Sequence, residues 1–200
     1  MKVLKMVKLG LVLAFYATIA CVGLAFVYTA TKDTIAGHDQ KKLEAALDEL
    51  FPDSDNYEEI TGTIPSPDSA VTFSNQYKIL KNGAVIGAAI QASAGSYGGP
   101  IVAIVGVGND GKVTRIKILQ NQDTPGLGAK ASSPQYFVNR SEGITFYGQF
   151  AGKSVNDPFQ VKNDVAAITA STITSSAVTT AVKAASQAGF EWLKSQGGTR

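Results

Sequence analysis

The segment Gln76-Tyr77-Lys78-Ile79-Leu80-Lys81-Asn82-Gly83-Ala84-Val85-Ile86-Gly87-Ala88-Ala89-Ile90-Gln91-Ala92 decides the fold of this 200-residue chain. Two strand-like runs, 76–81 and 84–92, flank Asn82-Gly83. That pair is the strongest short-range hairpin signal, because both central positions of a type I′ turn take positive φ. Further on, runs 101–107 and 113–119 flank Gly108-Asn109-Asp110-Gly111 and predict a second hairpin. The two hairpins together predict a four-stranded antiparallel meander with one apolar face. Between them lies Gly95-Ser96-Tyr97-Gly98-Gly99-Pro100, whose glycines let backbone approach a ligand closely. A second glycine-rich loop, Asn121-Gln122-Asp123-Thr124-Pro125-Gly126-Leu127-Gly128-Ala129, follows the fourth strand. Its Pro-Gly sets a tight turn that presents Thr124 and Leu127 beside exposed amides. Taken singly, each loop reads equally well as a plain connection.

Toward the C-terminus, 133–150 is expected to hold a short helix, with 146–150 packing on the sheet. Then comes Ala167-Ile168-Thr169-Ala170-Ser171-Thr172-Ile173-Thr174-Ser175-Ser176-Ala177-Val178, dense in hydroxyls. It leads into an amphipathic pattern, Val178, Ala181, Val182, Ala185, Gly189 and Trp192, at three- and four-residue steps, which predicts a helix over 176–193. Hydroxyls at a helix start cap its free N–H groups, and the same N–H groups with the helix dipole attract an anion such as phosphate. The cluster therefore reads either as a cap or as hydroxyls, one of which carries a phosphate covalently.

Toward the N-terminus, Lys2, Lys5 and Lys8 precede 9–31, a run of 23 residues with no charged side chain. As a helix this run reaches roughly 34 Å, enough to cross the hydrocarbon of a bilayer. It is longer than the apolar region of a signal peptide, and Tyr28-Thr29-Ala30-Thr31 is a poor cleavage site. Thr18-Ile19-Ala20 before Cys21 is a weak lipoprotein match. A retained, single-pass anchor is the expectation. Three lysines before the span and only Lys32 close behind it place the N-terminus in the cytoplasm. Residues 31–50 read as a further helix, broken from the first near Gly37 and stopped by Phe51-Pro52. Residues 52–69 are acidic and turn-rich, suited to a loop or short irregular strands. The expected organisation is thus a cytoplasmic N-terminus (1–8), a transmembrane helix (9–31), a helical and loop connector (32–72) and an extracytoplasmic domain (73–200).

Composition excludes several functions. The formal net charge of +2 offers no basic footprint for nucleic acid. Cys21 and His38 are the single cysteine and histidine, so no disulfide framework, cysteine metal site or Ser-His-Asp constellation can be built. Cys21 reads as an apolar filler of the membrane helix and His38 as a solvated residue. No catalytic or metal-binding residue is expected.

Taken in order, the Asn82-Gly83 hairpin, the Tyr97-Gly98-Gly99 loop, Gly106 and Gly111, the Thr124-Pro125-Gly126-Leu127-Gly128 loop and the 169–175 cluster resemble the extracytoplasmic FMN-binding domain of membrane redox complexes. The resemblance covers about residues 74–185, and the N-terminal anchor extends it. It points to the G subunit of the Rnf complex and to the C subunit of the sodium-translocating NADH:quinone reductase. The short region before the hairpin favours the former. The flavin attachment motif of this family typically reads Ser/Thr-Gly-Ala-Thr/Ser-x-Thr/Ser. Thr169-Ala170-Ser171-Thr172-Ile173-Thr174 aligns with it, with Ala170 in place of Gly and Ser171 in place of Ala. An aspartate usual three residues before the first Ser/Thr is replaced by Ala166, with Asp164 two residues earlier. Asp123 keeps the charge of a usual glutamate.

The resemblance implies an α+β fold and FMN joined through a phosphoester to Thr172. Thr174 and Ser175 would bond the phosphate, and Gly98, Gly99, Gly126 and Gly128 would let two loops close on the ring. Tyr97 and Leu127 would pack on its faces, and Thr124, Thr169 and Ser171 would complete the cofactor-binding set. It implies an electron-carrying subunit, rather than a free enzyme, in a cell (inner) membrane complex that couples ferredoxin:NAD⁺ electron transfer to Na⁺ or H⁺ movement. Partners would be the other membrane and peripheral subunits, with a flavin transferase for maturation. The alternatives are a subunit of the quinone reductase, a stand-alone extracellular flavin carrier, or an anchored scaffold domain whose hydroxyls only cap a helix.

Overall fold

The structure is a computed structural model and describes residues 2–197. Met1, at the head of the expected cytoplasmic segment, and residues 198–200, at the end of the expected extracytoplasmic domain, lie outside the described residues. So do the side chains of Lys2, Asp33, Thr34 and Ala36. Helix α1 spans Lys2–Leu50. The expected break near Gly37 is absent, and one glycine costs a helix interior only about 1 kcal/mol, too little by itself to interrupt it. This is the one helix among the described residues that is long and apolar enough to cross a membrane. By its contacts the chain divides into two compact units between Leu43 and Glu44.

In the second unit, five strands form one antiparallel meander: β1 (Asn56–Glu59), β2 (Val71–Lys81), β3 (Ala84–Gly95), β4 (Pro100–Gly108) and β5 (Val113–Gln120), in that spatial order. Both expected hairpins are present. Lys81 pairs with Ala84 across Asn82 (φ 51°) and Gly83 (φ 76°), the two positive φ values that the Asn-Gly turn supplies. The turn-rich stretch 52–69 contributes β1, whose polar Asn56-Tyr57-Glu58-Glu59 adds an edge to β2. An edge strand buries little, so it needs no apolar alternation to form.

Helix α2 (Thr172–Ser195) lies on one face of the sheet. Its expected stripe is the buried one: Val178, Ala181 and Val182 are fully buried and Ala185 nearly so. Each valine buried this way contributes about 1.5–3 kcal/mol. Gly189 fits because a Cβ there would stand 2.8 Å from Val107 Cγ1, so the glycine sets how closely helix and sheet approach. On the opposite face the last turn of α1 and Phe51 close the core. A Cβ on Gly87 or Gly106 would come within 2.7 or 2.8 Å of the Phe51 ring, which sits in the notch these two glycines leave.

Between the sheet and α2 the expected helix in 133–150 does not form. The chain makes a 3₁₀ turn (Gly128–Ser132), a small two-stranded sheet (β6, Phe137–Asn139; β7, Ile144–Thr145) and a second 3₁₀ turn (Gly148–Phe150). Asn139 Oδ1 accepts from the Ser141 amide at 3.1 Å, a local turn that competes with helix, and Gly143 adopts φ 68°. Phe146 and Phe150 are fully buried in the core, their rings edge-to-face at 5.7 Å.

Candidate functional site

Helix α2 starts at Thr172, four residues earlier than the apolar periodicity predicts, so most of the hydroxyl cluster lies inside its first turn. The reason is tertiary. Ser175 Oγ accepts from the Ile168 amide at 2.9 Å and donates to the Ser171 carbonyl at 2.9 Å. Thr174 Oγ1 donates to Asp123 Oδ2 at 2.6 Å. These bonds fix an otherwise poor helix-forming sequence. Ser171, the N-cap residue, makes no side-chain cap bond. The first N–H groups of any helix lack intrahelical partners, and here the cap side chain leaves them to another acceptor.

Asp123 organises the surroundings. Its carboxylate accepts from Ser96 Oγ at 2.5 Å, from the Gly98 amide at 2.6 Å and from Thr174, so one side chain ties both glycine-rich loops to the start of α2. It is 5% exposed. Burial alone would raise its pKa, but the hydrogen bonds from Ser96, Thr174 and Gly98 outweigh this and hold the carboxyl below its ordinary value. Two glycines make the arrangement possible. A Cβ on Gly98 would lie 2.3 Å from the Gln122 carbonyl oxygen, and one on Gly128 would lie 2.4 Å from Thr174 Oγ1 and 2.7 Å from Asp123. Gly126, by contrast, faces open space and serves the turn through φ 79°.

These elements enclose a cleft of about 470 Å³ lined by Tyr97, Asp123, Thr124, Leu127, Gly128 and Ala170 to Thr174. Of the residues singled out from sequence, the cleft gathers Tyr97, Thr124, Leu127, Gly128, Ser171, Thr172 and Thr174. Gly98, Gly99, Gly126, Thr169 and Ser175 do not line it. Of the hydroxyls in 169–175, Thr174 and Ser175 are buried and bonded within the protein, Thr169 is exposed outside the cleft, and Ser171 is buried. Thr172 is exposed within the cleft. Ala170 adopts φ 60°, the left-handed conformation, at the position where the motif has glycine. In the sequence Asp123 reads only as a retained charge. Its role is hidden there because its partners lie 25, 27 and 51 residues away. Ile173, 57% exposed in the cleft, also escapes a sequence reading, since the x of a motif carries no signal.

The cleft suits a flavin nucleotide. Tyr97, Leu127 and Ile173 are 75%, 43% and 57% exposed, an apolar surface for a flat ring. The start of a 24-residue helix offers N–H groups to a phosphate. The Ser171 hydroxyl, buried without a hydrogen-bond partner, stands beside it.

Comparison with known proteins agrees with this geometry. Residues 96–187 match the FMN-binding domain family, and residues 1–50 match the RnfG N-terminal region. The chain is 31% identical over 195 residues to the G subunit of the Na⁺-translocating ferredoxin:NAD⁺ oxidoreductase complex of Acetobacterium woodii, covering 88% of this chain and 87% of that one. It is 34% identical over 190 residues to the G subunit of the ion-translocating oxidoreductase complex of Aliivibrio fischeri (90% and 88% covered). With the corresponding protein of Vibrio cholerae the identity is 32% over 187 residues (89% and 87%). The chain belongs to the family of G subunits of ion-translocating (Rnf) oxidoreductase complexes, and it carries that family's FMN-binding domain.

Proposed function

We propose that the chain is a membrane-anchored electron carrier with one FMN esterified to Thr172, working as part of a complex that couples ferredoxin:NAD⁺ electron transfer to Na⁺ or H⁺ translocation. FMN, when bound, supplies the electron chemistry, and the protein supplies binding, orientation and electrostatics. The reading is carried by one observation: Thr172 is the hydroxyl of its cluster that is exposed within the cleft, at the first residue of α2. For attachment, the Thr172 oxygen would attack the FMN phosphorus of a flavin dinucleotide, forming the Thr–O–P bond as the P–O bond of the anhydride breaks and a nucleoside monophosphate leaves. The Thr172 proton departs too, with a flavin transferase as the catalyst.

Around that link, Thr174 and Ser175 hold the first turn of α2 in place beneath the phosphate. Tyr97 and Leu127 pack against the ring, with Thr124 beside it. Gly98, Gly99, Gly126 and Gly128 give their loops the shape this needs. Thr169 sits exposed on the approach to the turn. The apolar part of α1, 9–31, anchors the chain as a single pass, with 1–8 in the cytoplasm, 32–72 as connector and 73–200 outside, as the positive-inside rule implies for Lys2, Lys5 and Lys8. Outside the cytoplasm a tether prevents loss of the cofactor by dilution. The other membrane and peripheral subunits are the partners that exchange electrons with it.

The test is Thr172→Ala in cells that express the transferase. The variant folds and inserts but shows no flavin fluorescence after denaturing electrophoresis. Fluorescence that persists in the variant would place the link on another residue.

A further inference from the structure

Ser171 is the unusual residue of this turn. The family motif has alanine there, whereas this chain places a hydroxyl in a position that is 7% exposed. The hydroxyl has no hydrogen-bond partner in the protein. As the N-cap residue of α2 it would ordinarily bond an N–H of the first turn, and it does not. The neighbouring hydroxyls are engaged elsewhere, Thr174 with Asp123, and Ser175 with the Ile168 amide and the Ser171 carbonyl, while the first N–H groups of α2 are left without a side-chain cap. An orphaned buried hydroxyl destabilises a fold, because it has lost water and gained nothing. Such a group calls for an explanation, and a ligand that completes it is one. Asn109 Oδ1 and Thr114 Oγ1, the other buried side-chain atoms without a partner among the described residues, do not line the cleft, whereas Ser171 does.

Ser171 lines the cleft and immediately precedes Thr172. No residue lining the cleft, among those described, is Lys, Arg or His. A phosphate held here therefore depends on neutral donors, namely the first N–H groups of α2 and whatever hydroxyl is still unpaired. A serine hydroxyl reaches a new acceptor by one step about its Cα–Cβ bond.

Resting on the reading of Thr172 as the flavin attachment site, we propose that the Ser171 hydroxyl is the side-chain donor to the phosphate of the tethered FMN. It is unsatisfied in the unloaded protein and satisfied on loading. Attachment of the cofactor thereby relieves a defect built into the apo fold, so flavin loading stabilises this chain more than it would stabilise one with alanine at 171.

The experiment compares full-length wild type, Ser171→Ala and Ser171→Thr, each expressed with and without the flavin transferase. Melting temperatures are measured on all six, with in-gel fluorescence to confirm loading and ³¹P NMR on the loaded forms. In the unloaded state Ser171→Ala should melt about 2–4 °C higher than wild type, because an orphan hydroxyl has been removed. On loading it should gain less than wild type, and its ³¹P resonance should shift. Ser171→Thr, which keeps the hydroxyl, should retain the wild-type resonance and the wild-type gain. If flavin attaches but wild type and Ser171→Ala gain equally, with the same ³¹P shift, the proposal is overturned and the attachment reading survives. If wild type takes up no covalent flavin, both fall together.

Discussion

Two hydrogen-bonded aspartates of this domain, Asp123 buried and Asp164 half-buried, invite comparison. Asp123 in the cleft and Asp164 in the loop before α2 each accept three hydrogen bonds, and each carboxyl is held below its ordinary pKa against the opposing effect of burial. Their partners differ. Asp164 accepts from the Gln160 amide at 2.6 Å and the Phe159 amide at 3.1 Å, both within its own loop, and pairs with Lys153 at 3.0 Å. It closes one loop in which Phe159 and Lys162 take positive φ, and a cation balances it. Asp123 has no cation among its bonded partners and draws them from two separate segments, so it joins loops instead of closing one. Equal numbers of bonds thus do different work: one carboxylate shapes a loop, the other assembles a site.

The sharpest way to break this comparison is to remove each carboxylate. Asp123→Ala leaves the Ser96, Gly98 and Thr174 donors without an acceptor in a buried place. It should cost about 4 kcal/mol in denaturant unfolding and abolish covalent flavin loading. Asp164→Ala should cost about 2 kcal/mol and leave loading intact, since none of its bonds reaches the cleft. Equal losses of loading would mean that the two regions are not distinct. Both carboxylates also contribute to the loss of stability in acid. Because their folded pKa values are depressed, their contributions are complete above the ordinary value of 3.8 and fade as pH falls through the lower folded values. A pH series of unfolding free energies on wild type should therefore fall steeply below about pH 4. Asp123→Asn should begin lower and fall less.

A smaller effect separates the two kinds of glycine beside Asp123. Gly128→Ala would press a methyl group between Thr174 Oγ1 and the Asp123 carboxylate, and should cost about 2–3 kcal/mol with reduced loading. Gly126→Ala meets open space and bears only the strain of φ 79°, about 1 kcal/mol, with loading unchanged. Thermal unfolding with in-gel fluorescence reads both. The smallest expected change is a gain. Ala170→Gly relieves the left-handed conformation at φ 60° and should stabilise by about 0.5–1 kcal/mol, the glycine's greater freedom in the unfolded chain offsetting part of the relief.

How far the sequence reveals the molecule follows the range of the forces involved. The Asn82-Gly83 hairpin, the meander and the buried stripe of α2 are written in local periodicity and turn chemistry, and the structure has them. Strand β1 carries no alternation because an edge strand buries so little. Helix α2 begins four residues before its periodicity does because Thr174 and Ser175 are held in helix by distant and irregular partners, not by propensity. In 133–150 an Asx turn at Asn139 and the positive φ of Gly143 prevail over helix formation. Of the residues that line the cleft, Tyr97, Thr124, Leu127, Gly128, Ser171, Thr172 and Thr174 are legible from their motifs. Asp123 is not, because a lone aspartate before Thr-Pro-Gly looks like any turn residue until its remote partners are placed.

The account stands on the assignment of Thr172, and the most direct measurement is mass spectrometry of proteolysed wild-type protein made with its transferase. The account predicts a single peptide heavier by one esterified FMN, with fragment ions that place the group on Thr172. A flavin mass on Thr124, Thr169, Ser171 or Thr174, or an unmodified Thr172 peptide in protein that is fully yellow after denaturation, would contradict it.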